Sequence, residues 1–196
     1  MTKPYHHGDL RAALLAAAEA IVNRDGVAGL TLRGVAREVG ASHAAPKNHF
    51  DDLTGLLSEL AAIGFTRFAD RMQAAAAAQT APADKLNAIG RAYVEFALAE
   101  PGLFQLMFRG ERLDKSRPAL NAAMERAFGT LTGSVAATHE GDPDVARATR
   151  AHAARAWSMV HGYAILLLDD RLNPLLDAGA PREDALALLD DMLTQG

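Results

Sequence analysis

The sequence predicts an all-α chain of about nine helices, and three observations carry that prediction. Alanine and leucine recur at helical spacing from one end of the chain to the other. Segments of alternating β-branched residues are missing, so no strand is expected. Prolines stand in Thr80-Ala81-Pro82, Pro101-Gly102, Arg117-Pro118, Gly141-Asp142-Pro143 and Gly179-Ala180-Pro181, places where a helix can begin but not continue.

Taken in order, the first helix is expected from about Asp9 to Arg24, with Leu10, Leu14, Ala17, Ala18 and Ile21 on one face and Asp25-Gly26 as its stop. Thr31 caps a second helix that buries Val35, Ala36 and Val39 and ends at Gly40. A third is expected to start at Ser42 and run to about Phe50. After Asp51-Asp52 comes a long fourth, to about Gln79, extended by the Ala74–Ala78 run of strong helix formers. The proline breaks then delimit a fifth (about Ala83–Ala99), a short sixth (about Leu103–Arg109), a seventh (about Ala119–His139), a long eighth (about Val145–Leu172) and a ninth (about Arg182–Gln195). No internal repeat is visible. By role, residues 1–52 read as a head and residues 53–196 as a body.

Composition narrows the function. Of 196 residues, 49% are hydrophobic and 22% charged, the balance of a globular chain rather than a disordered or membrane-spanning one. There is no cysteine, which removes disulfides, thiolate metal sites and thiol catalysis. The start, Met1-Thr2-Lys3-Pro4-Tyr5-His6-His7-Gly8, has no apolar stretch of a secretory signal, so a cytoplasmic location is expected. The longest apolar run, Ala164–Leu168, is far short of the roughly 18 residues a membrane span needs, and no membrane partner is expected. The net charge of −4 hides a segregation: the first fifty residues carry six cations and four anions, a net of +2, which leaves −6 on the remainder.

The most specific segment is Thr31-Leu32-Arg33-Gly34-Val35-Ala36-Arg37-Glu38-Val39-Gly40-Ala41-Ser42-His43-Ala44-Ala45-Pro46-Lys47-Asn48-His49-Phe50. It reads as capped helix, three-residue turn, capped helix, with Ser42 opening the second. Gly40 supplies the turn, Ala36 is small where the two helices cross, and Val35, Val39 and Phe50 fill the wedge between them. The second helix is then left to offer polar side chains to a major groove. Together with Tyr5-His6-His7-Gly8-Asp9-Leu10-Arg11, Gly26, Leu30, His49-Phe50-Asp51-Asp52 and Leu56-Leu57, the segment resembles the DNA-binding domain of the tetracycline-repressor (TetR) family. Trp157-Ser158-Met159-Val160-His161-Gly162 is similar to a Trp…His-Gly signature in the regulatory domain of one subgroup of that family.

The resemblance implies a homodimeric, ligand-responsive transcriptional regulator, most often a repressor, that reads a palindromic operator in double-stranded DNA and is released by a small-molecule effector. It places DNA contacts on Thr31, Arg33, Ser42, His43, Ala44, Lys47, Asn48 and His49. Thr31, Ser42, Lys47 and His49 fall mainly to phosphates, His43 and Asn48 nearer base edges. Two positions depart from the family pattern. Lys47 stands where a tyrosine is usual and Leu53 where a lysine is usual, so the set of phosphate contacts is one short. Pro46 removes a helical N–H just past the first turn and disfavours helix at Ala45; members of the resembled family with Ala-Ala-Pro at this place imply a short, rigid recognition helix.

Enzymatic readings find no constellation. His43 and His49 are six residues apart and His152 and His161 nine, neither a helical metal-ligand spacing, and His6-His7 are adjacent only in an N-terminal arm. Asp51-Asp52, Asp169-Asp170 and Asp190-Asp191 read as caps or solvated faces rather than acid/base pairs. No phosphate loop or nucleophile elbow is present, and neither a metal nor a cofactor is expected.

The body carries most of the aromatic and sulfur side chains. An effector site, at least partly apolar with a few oriented polar groups, is expected among Phe65, Arg91, Tyr93, Phe96, Phe104, Met107, Phe108, Phe128, Trp157 and His161. A dimer interface is expected from Ala153, Ala156, Val160, Ala164 and Leu167 of the eighth helix and Leu186, Leu189 and Leu193 of the ninth. The competing reading is a helical small-molecule-binding or interaction protein whose helix-turn-helix no longer engages DNA.

Overall fold

A computed structural model describes residues 7–108, 112–139 and 144–194. Among the described residues every regular element is helical: α1 (His7–Asp25), α2 (Leu32–Glu38), α3 (Ala45–Phe50), α4 (Leu53–Ala77), α5 (Pro82–Ala99), α6 (Pro101–Phe108), α7 (Pro118–Thr138), α8 (Val145–Leu168) and α9 (Pro181–Thr194), with single 3-10 turns at Val27–Gly29 and Asn173–Leu175. The fold is thus all-α, with no helix long and apolar enough to cross a membrane among the described residues. Lys3, His6 and the expected helix ends Arg109 and Gln195 lie outside the described residues.

The prolines act as starts. Pro82, Pro101, Pro118 and Pro181 are the first residues of α5, α6, α7 and α9, where a missing N–H costs no helical bond and φ is already suited to the helix. Those four helices therefore begin one or two residues before the expected positions. α8 ends at Leu168, not near Leu172, because Asp170 turns to φ 57° and Arg171 N–H closes back onto the Leu166 carbonyl at 2.8 Å.

The chain packs as two compact units, one formed by Met1–Phe65 and Glu100–Met124, the other by Thr66–Ala99 and Glu125–Gly196. α4 and α7 each contribute residues to both units, so packing is cut elsewhere from the expected division by role at residue 52.

In the first unit α1 packs on α2, α3 and α6. Leu14, Ala18, Val35, Ala36, Phe50, Leu56, Leu60, Leu103 and Phe104 are wholly buried there, each large side chain contributing about 1.5–3 kcal/mol through removal from water. The crossing of α6 over α1 is close: a Cβ on Gly102 would sit 2.6 Å from the Val22 carbonyl oxygen.

In the second unit α5 packs on α8 and α9. Val94, Phe96, Ala97, Ala164, Ala185 and Leu189 are buried to within 1%, and the Tyr163 hydroxyl donates to the Ala185 carbonyl at 2.6 Å. At its rim Arg91 of α5 pairs with Asp190 of α9 and with Glu95 at 3.0 Å.

Candidate nucleic-acid interface and ligand site

The helix-turn-helix is built from local signals. The Thr31 hydroxyl oxygen accepts the Gly34 N–H at 3.0 Å, which fixes the start of α2. Past its end, Gly40 takes φ 65° and Ala41 N–H returns to the Ala36 carbonyl at 2.9 Å, the bond that closes a left-handed helix stop. α3 then begins at Ala45 rather than Ser42. Its first bonds are Ala45 N–H to the Ser42 carbonyl at 3.0 Å and Asn48 N–H to the Ala44 carbonyl at 3.1 Å, and Pro46 falls in the opening turn, where no donor is needed. Proline therefore shortens the helix without breaking it.

This places the expected DNA contacts in two groups. Ser42, His43 and Ala44 are exposed in the turn before α3, and Lys47 and Asn48 are exposed on the helix, with Thr31 and Arg33 exposed at the start of α2. His49 is only half-exposed, its ring 6.1 Å from that of Phe50, so part of its role is to cover the core. The basic balance of the head is also smaller than it looks. Arg11 pairs with Glu59 and lies 5.5 Å from the centre of the Phe50 ring, while Arg24 pairs with Asp25 at 2.9 Å and Glu38 at 3.5 Å. Arg33, Arg37 and Lys47 are exposed and join no described ion pair. Arg37 is an exposed cation absent from the expected contacts.

The turn after α3 is braced from far along the chain. Asp51 ends α3 at φ 64° and Arg117 reaches its carboxylate at 3.2 Å, while Asp52 caps α4 by accepting Gly55 N–H at 2.8 Å. No local motif announces the partnership of residues 51 and 117.

In the second unit five aromatic side chains and one imidazole gather from α4, α5, α7 and α8. The Tyr93 ring lies 4.8 Å edge-on to Phe68 and 6.2 Å from His161, Phe68 is 5.1 Å from Phe96, and Trp157 is 6.0 Å from Phe128 and 6.5 Å from His161. A directed hydrogen-bond chain crosses them. Trp157 Nε1–H donates to the Tyr93 hydroxyl oxygen at 3.4 Å, and that hydroxyl lies 2.8 Å from His161 Nδ1. Burial holds the Tyr93 phenol well above its ordinary range and draws His161 below the ordinary imidazole value, so both groups are neutral near pH 7. The neutral phenol then donates, Nδ1 accepts, and the imidazole carries its proton on Nε2. Trp157 and Phe128 are 40% and 52% exposed, so this apolar cluster is open to a binding partner on one side.

Tyr93, Phe96, Phe128, Trp157 and His161 come together as expected; Phe68 joins them and was missed. Arg91 does not, since its guanidinium is held by Glu95 and Asp190. Phe65, Phe104, Met107 and Phe108 belong to the first unit, the first three buried in its core and the half-buried Phe108 5.5 Å from Phe65 and 4.8 Å from Phe104. The expected dimer residues need a similar correction. Ala153, Val160, Ala164 and Leu189 are buried inside the second unit, and Leu193 and Val160 lie against Gly90 of α5; Ala156, Leu167 and Leu186 are half-buried. The outward stripe of α8 is instead Arg147, Ala151, Ala154, Ser158 and Leu166.

Replacing Tyr93 with Phe removes the donor to His161 Nδ1 and the acceptor for Trp157 at once. A loss of about 1–2 kcal/mol is expected, read as a lower melting temperature together with a changed emission of Trp157, the single tryptophan of the chain. Unchanged emission would mean that the chain of hydrogen bonds is not formed.

Residues 86–193 match the family described as "Tetracyclin repressor-like, C-terminal domain". Over 89 residues, 45% of this chain and 46% of the relative, the sequence is 28% identical to the "uncharacterized HTH-type transcriptional regulator YobS" of Bacillus subtilis (strain 168); the match spans less than half of that relative. Among solved structures, a protein of unknown function from Rhodococcus sp. RHA1 is 35% identical with a TM-score of 0.78, the match covering 100% of this chain and 98% of that one. The regulator FadR of Bacillus subtilis, in complex with stearoyl-CoA, shares the fold at 15% identity and a TM-score of 0.70, over 93% of this chain and 95% of that one. With a capped helix-turn-helix ahead of it and more than half its length matched to that regulatory domain, the chain belongs to the TetR family of helix-turn-helix transcriptional regulators.

Proposed function

We propose that the chain is a homodimeric repressor that binds a palindromic operator through α2 and α3 and is released by a small-molecule effector held against the aromatic cluster of its second unit. The observation that carries the DNA half of this reading is the exposed polar row of Ser42, His43, Lys47 and Asn48 on a helix-turn-helix whose cap, turn and wedge are all satisfied. The ligand half is supported by the open aromatic cluster, whose polar groups are neutral, which favours an apolar or aromatic effector over a strongly anionic one. FadR of Bacillus subtilis, which shares the fold, was solved in complex with stearoyl-CoA, which supports a small-molecule effector for this chain. α4 contributes to both units and is the element through which an effector would act on the DNA-reading helices.

The test is binding to the DNA flanking the chain's own gene, at two salt concentrations. A shift at low salt that weakens steeply as salt rises is expected. Lys47→Ala should weaken binding to all sequences alike and lower the salt slope by about one. An unchanged slope removes Lys47 from the phosphate contacts; no shift at low salt leaves the ligand-binding protein without DNA activity.

A further inference from the structure

Outside both sites, two titratable side chains meet in a contact that neither site uses. His139 follows the last residue of α7 and His152 lies two turns into α8. Nε2 of His139 is 3.0 Å from Nδ1 of His152, with the ring planes 82° apart. Both side chains are half-exposed, so solvent protons reach them.

Two ring nitrogens at this distance require one proton between them and accept no more. Two bare lone pairs repel, and two N–H groups would place hydrogen against hydrogen. In the neutral pair one imidazole donates to the other. A first added proton keeps the bond and strengthens it, because the donor is now charged. A second added proton ends it, with two cations facing each other. We propose that this pair is an acid-sensitive joint, fastening the end of α7 to the first turns of α8 while it carries at most one positive charge and releasing them when the second proton enters.

The groups around the pair favour such behaviour. Burial, and after it the positive charge of Arg155 one turn further along α8 and of His139, holds His152 below the ordinary imidazole range and opposes the second proton. The Thr138 hydroxyl, beside His139, donates its proton to the Val135 carbonyl at 2.7 Å. Among the described residues no third His, Cys, Asp or Glu joins the two as a metal set. His152, which binds its proton less readily folded than unfolded, contributes stability in full above about pH 6.5, and that contribution is lost as pH falls below it. Release would free the start of the helix that carries Trp157 and His161, without depending on what either of them binds.

The experiment is a histidine-labelled NMR titration of the full chain from about pH 8 to pH 5, beside His139→Gln and His152→Gln. In the parent the two imidazoles should titrate together, in two steps at least about one unit apart. In each variant the remaining imidazole should titrate in a single step nearer 6.5, and the fall in melting temperature between about pH 7 and pH 5 should be smaller than in the parent. His161 is common to all three chains and cancels in that comparison. Independent single-step titration of both residues in the parent overturns the proposal, as does a remaining imidazole indifferent to loss of its partner. The parent titration decides even if a variant folds poorly.

Discussion

The Gly55→Ala chain is expected to melt about 10 °C below the parent and to lose operator binding at temperatures where the parent is folded. Gly55 is the third residue of α4, and a Cβ there would stand 1.9 Å from the carbonyl oxygen of Phe50 and 2.9 Å from the Arg117 guanidinium. The guanidinium can swing aside; the carbonyl cannot, since it belongs to the last residue of α3 and Phe50 is wholly buried. Relief therefore means moving α3 against α4, with loss of the Asp52 cap and of the ion pair between Arg117 and Asp51. Overpacking of this kind costs about 3 kcal/mol, and at 2–4 °C per kcal/mol for a chain of about this size the shift in melting temperature follows. The same displacement moves Lys47 and Asn48, so affinity should fall beyond what unfolding explains. Gly133→Ala in α7 is the control: nothing lies within 4 Å of its Cβ, and melting at or slightly above the parent is expected. Melting by circular dichroism and DNA binding by fluorescence anisotropy read both effects. A Gly55→Ala chain that melts with its parent would show that α3 and α4 do not meet as described.

What could be read from the sequence divides along a physical line. Features set within a few residues were legible: Thr31 as a cap, Gly40 as a turn, prolines as helix borders, because each depends on backbone geometry that the local residues alone dictate. The recognition helix was displaced by three residues, since Ser42 looks like a cap and only the hydrogen bonds reveal that Ala44 holds that place. Features set between distant residues were not legible. Arg117 and Asp51 are 66 residues apart, Arg91 and Asp190 are 99, and His139 and His152 sit at a spacing that no helical ligand rule selects. Arg91 was placed among the ligand residues for its charge amid aromatics, yet Arg91 and Tyr93, adjacent but one on α5, point about 200° apart, the first to Asp190 of α9 and the second to Phe68. The dimer face failed for a related reason. Helical periodicity gives the angle between residues but not which side of α8 meets α5, and both Ala153-Val160-Ala164 and Ala151-Ala154-Ser158 make small-to-apolar stripes.

That ambiguity leads to the second large effect. Ala154→Arg should leave the chain folded, convert a dimer to monomers and reduce operator affinity roughly 100-fold or more. Ala154 is exposed, central in the outward stripe of α8 and without a role in its own unit's core, so its replacement costs the monomer little. In an isologous interface the same patch meets itself, and one substitution adds two guanidinium groups to it, one from each copy. The effect on DNA binding follows from the size of the reading head. α3 has six residues, and of the five described cations in the first fifty only Arg33, Arg37 and Lys47 are exposed outside described ion pairs, so a single head makes few phosphate contacts. Two heads tethered at half-sites about 34–36 Å apart gain what one lacks, because the second binds at the high effective concentration set by the first. Sedimentation equilibrium and anisotropy on the same samples separate the outcomes. If Ala154→Arg remains dimeric, α8 does not pair through this stripe; if it is monomeric and binds as tightly as the parent, one head suffices and the palindrome is not read by two.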